Sequence, residues 1–313
     1  LGFTRVELGV QSPFDDVLLA VRRGHTVSDV RRATRMLKDS AYKVGYHLMP
    51  GLPGSDLDRD LEALKLVLED PSFKPDMLKI YPTLVIPGTP LHEAWERGEY
   101  RGITDEEFRE YLMKAIPMLP RWVRLQHVQR DIPDELIAAG PRRRNLRQIV
   151  EETLVSIGVK IGEIRFREAG RTSYKGTEPD YDSVKTEVLE YEANGGTEFF
   201  LSLVDSNDVL MGILRLRKPS PLAHRWEIDE RTNLIRELHV YGQMVPIGEM
   251  PGPHAQHRGY GAMLIREAER ISLEEIRARK ILVISGIGAR EYFRKLGYRR
   301  VAGSFYMGKE LSS

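Results

Sequence analysis

The chain has 313 residues, of which 41% are hydrophobic and 30% are charged, and its 47 basic and 46 acidic residues leave a formal net charge of +1. That length predicts about two domains with sizeable cores. No apolar run approaches the roughly 18 to 20 residues that span a bilayer, and the start of the chain has no secretory pattern, so we expect a cytoplasmic protein without a membrane partner. The balanced charge excludes a generally basic surface, so any nucleic-acid surface must be local.

Residues 1 to about 115 alternate short apolar runs with amphipathic stretches. The apolar runs are Val6 to Val10, Val44 to Met49 and Met77 to Tyr81, and the amphipathic stretches are 28–38 and 56–68. This alternation predicts βα units of a parallel sheet or a partial barrel.

Basic residues concentrate in two stretches. Residues 22–38 carry six basic side chains against one acid, and residues 121–147 carry seven arginines against three acids. Both can follow a phosphate backbone, and both can be solvated faces. A turn signal, Gly140-Pro141, precedes three adjacent arginines, which we therefore expect to be displayed at the surface. The arginines proposed for nucleic-acid contact are Arg121, Arg124, Arg142, Arg143, Arg144 and Arg147.

The most informative segment is QHRGYG, residues 256–261. It follows the strand pattern of 237–247 and precedes apolar residues at helical spacing, so its glycines fall at a helix N-terminus. There the first backbone N–H groups lack partners, the helix dipole favours an anion, and glycine permits close approach. Arg258 can add charge to the same site. From these six residues alone, a turn or cap glycine is an equal alternative.

Residues 281–286 then predict a short buried strand, and residues 289–298 a short helix closed by glycine. This order of strand, glycine-rich turn, helix, strand and helix resembles the GNAT acetyltransferase fold. The motifs that are similar to the acetyltransferase domain of the Elongator catalytic subunit family are HVYG (239–242), QHRGYG (256–261), VISGIG (283–288) and YFRKLGY (292–298).

The first half resembles the same family in the same order. The matching motifs are RVELGVQS (5–12), RGHT (23–26), HLMPGLPG (47–54), LKIYPTLVI (78–86) and VQRDIP (128–133). The resemblance covers nearly the whole chain and implies an α/β protein. It places the C-terminal part of a radical S-adenosylmethionine (SAM) barrel at 1–119, a basic linker at 120–170 and a GNAT domain with a mixed sheet at 171–313.

The resemblance assigns an acetyl-CoA site. The residues implied to bind this cosubstrate are Val245, Ile247, Gln256, His257, Arg258, Gly259, Tyr260, Gly261 and Phe293. The family commonly has two adjacent tyrosines where this chain has Tyr292 and Phe293, so Tyr292 is the expected proton donor to the leaving CoA thiolate. The alternative is that both rings are core residues of a short helix.

The resemblance also implies a SAM site at the mouth of the barrel. Glu7 and Gln11 would contact its ribose or amino acid part, and Lys79 and Tyr81 are expected at the junction of the two active sites. The alternatives are that Glu7 pairs with Arg5 or a neighbouring strand, and that Tyr81 is a core aromatic.

The chain contains no cysteine. A radical SAM enzyme needs three thiolates for its iron–sulfur cluster, and the family carries them before the point at which this chain starts. We therefore expect an N-terminally truncated chain without radical SAM activity. Phe166 stands where the family often has a zinc-binding thiolate, and the histidines show no ligand spacing, so we predict no metal.

The family resemblance implies modification of carbon 5 of the wobble uridine of tRNA, towards carboxymethyluridine, with acetyl-CoA as carbon source. This chain would keep acetyl-CoA binding and tRNA-stimulated hydrolysis. Elongator-type partner subunits and a homodimer both remain open. A competing hypothesis is a protein lysine acetyltransferase with Glu237 as general base, unless that carboxylate pairs with Arg215 or Arg236. A third is a tRNA-binding scaffold whose acyl site is covered by a lid at 174–181.

Overall fold

A computed structural model describes residues 2–129, 132–174, 176–242 and 259–312. The protein is an α/β protein, as predicted, and divides into two compact units. We call residues 7–32 and 45–164 the parallel-sheet unit, and residues 1–6, 33–44 and 165–313 the mixed-sheet unit. In the described ranges no helix is long and apolar enough to cross a membrane.

The first half of the chain is built on a parallel sheet. Its strands in spatial order are β1 (Arg5–Gln11), β2 (Lys43–Leu48), β3 (Met77–Ile80) and β4 (Arg124–Val128). The helices along this part of the chain are α1 (Asp15–Ala20), α2 (Val27–Lys38), α3 (Leu57–Glu69), α4 (Pro90–Glu96), α5 (Asp105–Met118) and α6 (Leu146–Ser156). The pairs β2–β3 and β3–β4 are parallel, which confirms the predicted strand–helix alternation.

Local sequence signals set the ends of these helices. Asp56 accepts a hydrogen bond from the Arg59 N–H at the start of α3, and Thr104 and Glu107 form a capping box at the start of α5. The next turns of α5 bury Phe108 and Leu112 completely, at the four-residue spacing of one helix face.

The stretch predicted as a linker, 120–170, is folded. It contains β4, α6 and a 3-10 turn at Asp134–Leu136. The apolar side chains Leu146, Val150 and Leu154 recur every fourth residue of α6 and are buried. The many arginines of this stretch obscure that stripe in the sequence. Each of the two compact units combines segments that are distant in the sequence. The predicted contiguous domains, 1–119, 120–170 and 171–313, stay a prediction.

The second half is built on a mixed sheet. In the described ranges its seven strands lie in the order β10-β11-β9-β8-β7-β6-β5. These strands are β5 (Lys185–Ala193), β6 (Gly196–Val204), β7 (Leu210–Lys218), β8 (Thr232–Val240), β9 (Lys280–Ile284), β10 (Arg299–Arg300) and β11 (Tyr306–Glu310). The helices are α7 (Ile164–Arg167), α8 (Ala169–Tyr174), α9 (Tyr260–Arg270) and α10 (Arg290–Lys295), and a π-helical turn (Ile271–Glu275) continues α9.

Strands β8 and β9 are the parallel pair of this sheet, and they separate part-way along. Their pairing runs from Thr232 with Lys280 to Ile235 with Val283. Strand β8 then continues to Val240 beside β7, while β9 ends at Ile284 and leads into α10. The divergence of two strands opens a cleft beyond Ile235.

Candidate active site

Helix α9 begins at a glycine in the left-handed region. Gly259, the N-cap, has φ 78°, and among the described residues no heavy atom lies within 4 Å of the position that a Cβ would take. The conformation therefore favours glycine. The first N–H groups of a helix lack intrahelical partners and favour an anion. Of the predicted CoA residues, Tyr260 and Gly261 are buried in this turn.

Five predicted CoA residues cannot be placed. Val245, Ile247, Gln256, His257 and Arg258 lie outside the described residues.

Tyr292 on α10 lies against the start of α9. A Cβ on Gly261 would overlap the Tyr292 hydroxyl, so this glycine permits the contact. Burial raises the pKa of Tyr292, with a smaller opposing effect from Arg266. The phenol therefore keeps its proton at neutral pH, as a proton donor must. Phe293 is buried and packs against Tyr298, with 5.5 Å between the ring centroids. Of the adjacent pair Tyr292 and Phe293, Tyr292 is therefore the residue that can supply a hydroxyl.

The cleft between β8 and β9 contains a cavity of about 160 Å³. The lining side chains that matter for chemistry are Thr4, Lys43, Glu237, Ser285, Tyr292 and Phe293. All of them belong to the mixed-sheet unit. The cavity therefore combines an apolar wall with a phenol, a carboxylate and an amine.

Glu237 is held between two cations. Its Oε2 accepts a hydrogen bond from Arg215 Nε at 2.7 Å, and its Oε1 lies 3.5 Å from Lys43 Nζ. Arg215 is therefore the ion-pair partner, as one alternative predicted. Arg236 instead contacts Glu198 through Nη2 at 2.8 Å. Lys43 was not predicted as a site residue, because nothing in the sequence around the start of β2 indicates that this lysine lines the cavity.

A second polar cluster lies across the parallel strands β1, β2 and β3. Glu7 Oε2 accepts from Lys79 Nζ at 2.5 Å and lies 2.8 Å from His47 Nε2. The His47 ring meets Tyr81 edge-on, with 5.6 Å between centroids. Three of these four residues were predicted site residues, and Glu7 pairs with neighbouring strands, as one alternative stated. His47 was missed, although its place in a polar position of β2 was a signal.

Four polar atoms near the carboxyl ends of the parallel strands are buried without a hydrogen-bond partner in the described part of the chain. They are Gln11 Oε1, Ser12 Oγ, Thr83 Oγ1 and Gln129 Oε1, each at the last residue of a strand or shortly after it. Leaving such a group unsatisfied costs about 1 to 3 kcal/mol, so a polar ligand would be favoured here. These hydroxyl and amide oxygens fit the ribose or amino acid part of SAM. It does not fit an iron–sulfur cluster, because the chain has no thiolate ligand.

In the described residues, no group of three or more His, Asp or Glu side chains is placed to hold a metal ion. This finding is limited to those ranges.

The six predicted RNA-contact arginines occupy different environments. Arg142, Arg143 and Arg144 are exposed, whereas Arg121 and Arg124 are half-buried and have partners within the protein. Arg147 differs from the prediction. Its guanidinium contacts Glu151, Glu163 and the Leu125 carbonyl at 2.6, 2.8 and 2.7 Å, so its donors are used inside the parallel-sheet unit.

Comparison with known proteins agrees with both halves of the fold. Residues 1–67 match the Radical SAM superfamily model, and residues 75–156 match the model of the Radical_SAM C-terminal domain. The chain is 51% identical over 314 residues to a tRNA uridine(34) acetyltransferase of Methanocaldococcus jannaschii, covering 99% of this chain and 58% of the relative. It is 43% identical over 299 residues to human Elongator complex protein 3, covering 95% of this chain and 54% of the relative.

A solved structure of Methanocaldococcus infernus Elp3, which lacks residues 1–46, superposes with a TM-score of 0.93 at 49% identity. The match covers 99% of this chain and 73% of that one. The fold and site thus define a radical SAM barrel part joined to a GNAT acetyltransferase domain. The chain belongs to the Elongator complex protein 3 family. It spans less than two thirds of the length of the curated relatives named above.

Proposed function

We propose that this chain binds acetyl-CoA between the start of α9 and the β8–β9 cavity, and acts in acetyl-CoA-dependent modification of carbon 5 of the tRNA wobble uridine. The observation that carries the proposal is the Tyr292 hydroxyl lying against Gly261, at the N-terminus of a helix. This arrangement puts a proton donor beside an anion-binding helix end. The name of the relatives, tRNA uridine(34) acetyltransferase, supports the substrate.

The chain's own residues divide the chemistry. The first N–H groups of α9 hold the diphosphate of CoA, and the apolar wall around Phe293 holds the acyl arm. When the C–S bond breaks, Tyr292 donates its proton to the departing thiolate, since its raised pKa keeps it protonated until then.

The polar cluster of the parallel-sheet unit is the proposed SAM site. Gln11 and Glu7 would hold the ribose and amino acid parts of the cofactor. When bound in the complete protein, SAM would supply the radical chemistry needed to activate the acetyl group. Lys79 and His47 fix the Glu7 carboxylate by hydrogen bonds, so its acceptor geometry is set before the cofactor arrives.

The exposed arginines 142–144 are the proposed contact for tRNA phosphates. Arg147 is left out because its donors are used internally.

The lid proposed at 174–181 is anchored at its far end, where the Asp180 N–H donates to Asp205 at 2.8 Å. That bond ties the segment to the turn between β6 and β7.

A protein lysine acetyltransferase needs a free base for the incoming amine. Glu237 already contacts Arg215 and Lys43, so it is a poor base for a peptide lysine. The hypothesis of a tRNA substrate is therefore better supported than the hypothesis of a protein lysine substrate.

The test is the rate of CoA release from acetyl-CoA by the chain alone, with tRNA, and with lysine peptides. We expect stimulation by tRNA and not by peptide. Tyr292→Phe should lower the rate about 10²-fold, as expected for loss of a general acid. Tyr298→Phe is the control, because it removes a hydroxyl that donates to Glu269 instead. Stimulation by peptide with formation of acetyl-lysine would reject the proposal.

A further inference from the structure

Lys43 places an amine of the protein itself in the acetyl-CoA cavity. It is the first residue of β2, its side chain is 23% exposed, and it lines the cavity together with Tyr292. Its Nζ lies 3.5 Å from Glu237 Oε1. An amine, a carboxylate that orients it and a phenol that can protonate a leaving group therefore share one small space.

The carboxylate is oriented by a separate contact. Arg215 is 1% exposed, its guanidinium lies over the Phe200 ring at 5.0 Å, and its Nε binds Glu237 Oε2. Because Oε2 is engaged by this fixed guanidinium, Oε1 is the oxygen that faces Lys43. This contact orients the Lys43 amine within the cavity.

We propose that Lys43 is a self-acetylation site, at which the protein transfers the acetyl group of acetyl-CoA to its own Nζ. The inference rests on the proposed acetyl-CoA site. It assigns Glu237 an acceptor amine from within the chain, which is the amine that the carboxylate already contacts.

The reaction balances without another reactant. The Lys43 ammonium loses one proton to solvent, and the free amine, oriented by Glu237, attacks the thioester carbonyl carbon. The C–S bond breaks as the N–C bond forms, and the thiolate takes the Tyr292 proton. The attacking nitrogen loses its second proton to the phenolate, which restores Tyr292. The products are acetyl-lysine, CoA thiol and the one proton released to solvent.

Lys280 provides a matched control. Its side chain is 24% exposed and its Nζ lies 3.4 Å from Asp229, so its exposure and ion pairing resemble those of Lys43. It lines a different cavity, with Arg231, Arg279 and Glu310. Direct chemical acetylation by acetyl-CoA in solution would therefore modify both lysines to a similar extent.

The experiment incubates the 313-residue chain with isotopically labelled acetyl-CoA and measures acetylation at each lysine by mass spectrometry, with acetyl-CoA affinity measured separately by calorimetry. We expect Lys43 to be labelled about ten-fold or more faster than Lys280, because bound reactants have a high effective concentration. Tyr292→Phe should slow labelling of Lys43 and leave Lys280 unchanged. Lys43→Arg should keep the ion pair and abolish labelling at this position.

Equal labelling of Lys43 and Lys280 would overturn the inference, since it would show solution chemistry. Measurable acetyl-CoA binding with Lys43 unlabelled would also overturn it, while leaving the proposed function intact. Absence of acetyl-CoA binding would reject both.

Discussion

Gly259 has a left-handed backbone at the start of α9, and in the described ranges no atom lies within 4 Å of its Cβ position. A β-branched residue there would strain the backbone and occupy the approach of the diphosphate. We expect Gly259→Val to abolish measurable acetyl-CoA binding by calorimetry. Gly303→Val is the matched control, because Gly303 also has a left-handed backbone, with φ 69°, but lies in another turn. Unchanged affinity in Gly259→Val would remove the phosphate-binding role of α9.

Asp60 links a single titration to the loop after β2. Its carboxylate accepts from the Gly51 N–H at 2.6 Å and from Ser55 Oγ at 2.7 Å. Burial raises the pKa of Asp60 to about 6, despite these two bonds. Because the folded pKa exceeds the unfolded one, the carboxyl's stabilising contribution is complete below about pH 4 and is lost as pH rises through about 6.

The Asp60→Asn variant should lack this dependence. At pH 7 we expect its free energy of unfolding to exceed that of the parent by up to about 3 kcal/mol, and the two to converge near pH 4. Asp70 is a control of opposite sign, because hydrogen bonds from Ser72 and the charge of Arg31 lower its pKa against the effect of burial. Urea unfolding of the parent, Asp60→Asn and Asp70→Asn from pH 7 down to about pH 3 measures both, because the Asp70 contribution is lost only below about pH 4. A parallel pH profile for parent and Asp60→Asn would contradict the assignment.

At the scale of elements, periodicity predicted the strands and helices that carry local patterns. Helices α2 and α3 and strands β1 to β3 occur where their apolar spacing placed them. The folding of α6 was missed, because its buried stripe of Leu146, Val150 and Leu154 lies beside an arginine-rich loop. Partners distant in sequence, such as Lys43 with Glu237, depend on how the strands assemble and were not predictable from local pattern.

The loop before α6 displays the proposed RNA contact. The backbone N–H groups of Arg142 and Arg143 both donate to Asp105 Oδ1, at 3.0 and 2.9 Å. These bonds fix the backbone of the arginine loop to the first residue of α5. The Arg142 side chain donates to the Ile137 carbonyl, and Arg144 lies 3.4 Å from Asp134. The Arg143 side chain has no partner in the described ranges, so it is the freest of the three to bind a phosphate.

We expect Arg143→Ala to weaken tRNA binding and to reduce the slope of log affinity against log salt by about 1. Arg101→Ala is the matched control: it removes the same charge from an exposed site, but its guanidinium is bidentate with Glu107. Binding titrations at several salt concentrations measure both slopes. Equal slopes for parent and Arg143→Ala would place the RNA surface elsewhere.

At the scale of the whole molecule, residues 33–44 are part of the mixed-sheet unit although they lie far from it in sequence. Ala41 belongs to a core cluster with Leu234, Leu282, Ile284 and Tyr306. Asp39 is fully buried and accepts from Arg217 Nη2 at 2.7 Å, while Arg217 also contacts Glu198 at 2.9 Å. The segment thus supplies both core volume and a charge that the sheet's buried arginine requires.

Removing that charge should unfold the mixed-sheet unit. We expect Asp39→Ala to destabilise it by about 3 to 5 kcal/mol, because Glu198 must then balance both Arg217 and Arg236 and a buried positive charge stays uncompensated. Asp29→Ala is the control in helix α2, which ends just before Asp39, because it removes an exposed pair with Arg32 that contributes little. By the same argument a fragment of residues 165–313 should not unfold cooperatively, since it lacks both Asp39 and Ala41. Thermal unfolding followed by near-ultraviolet circular dichroism tests each; a cooperative transition in the fragment would show that the acetyltransferase fold is complete without residues 33–44.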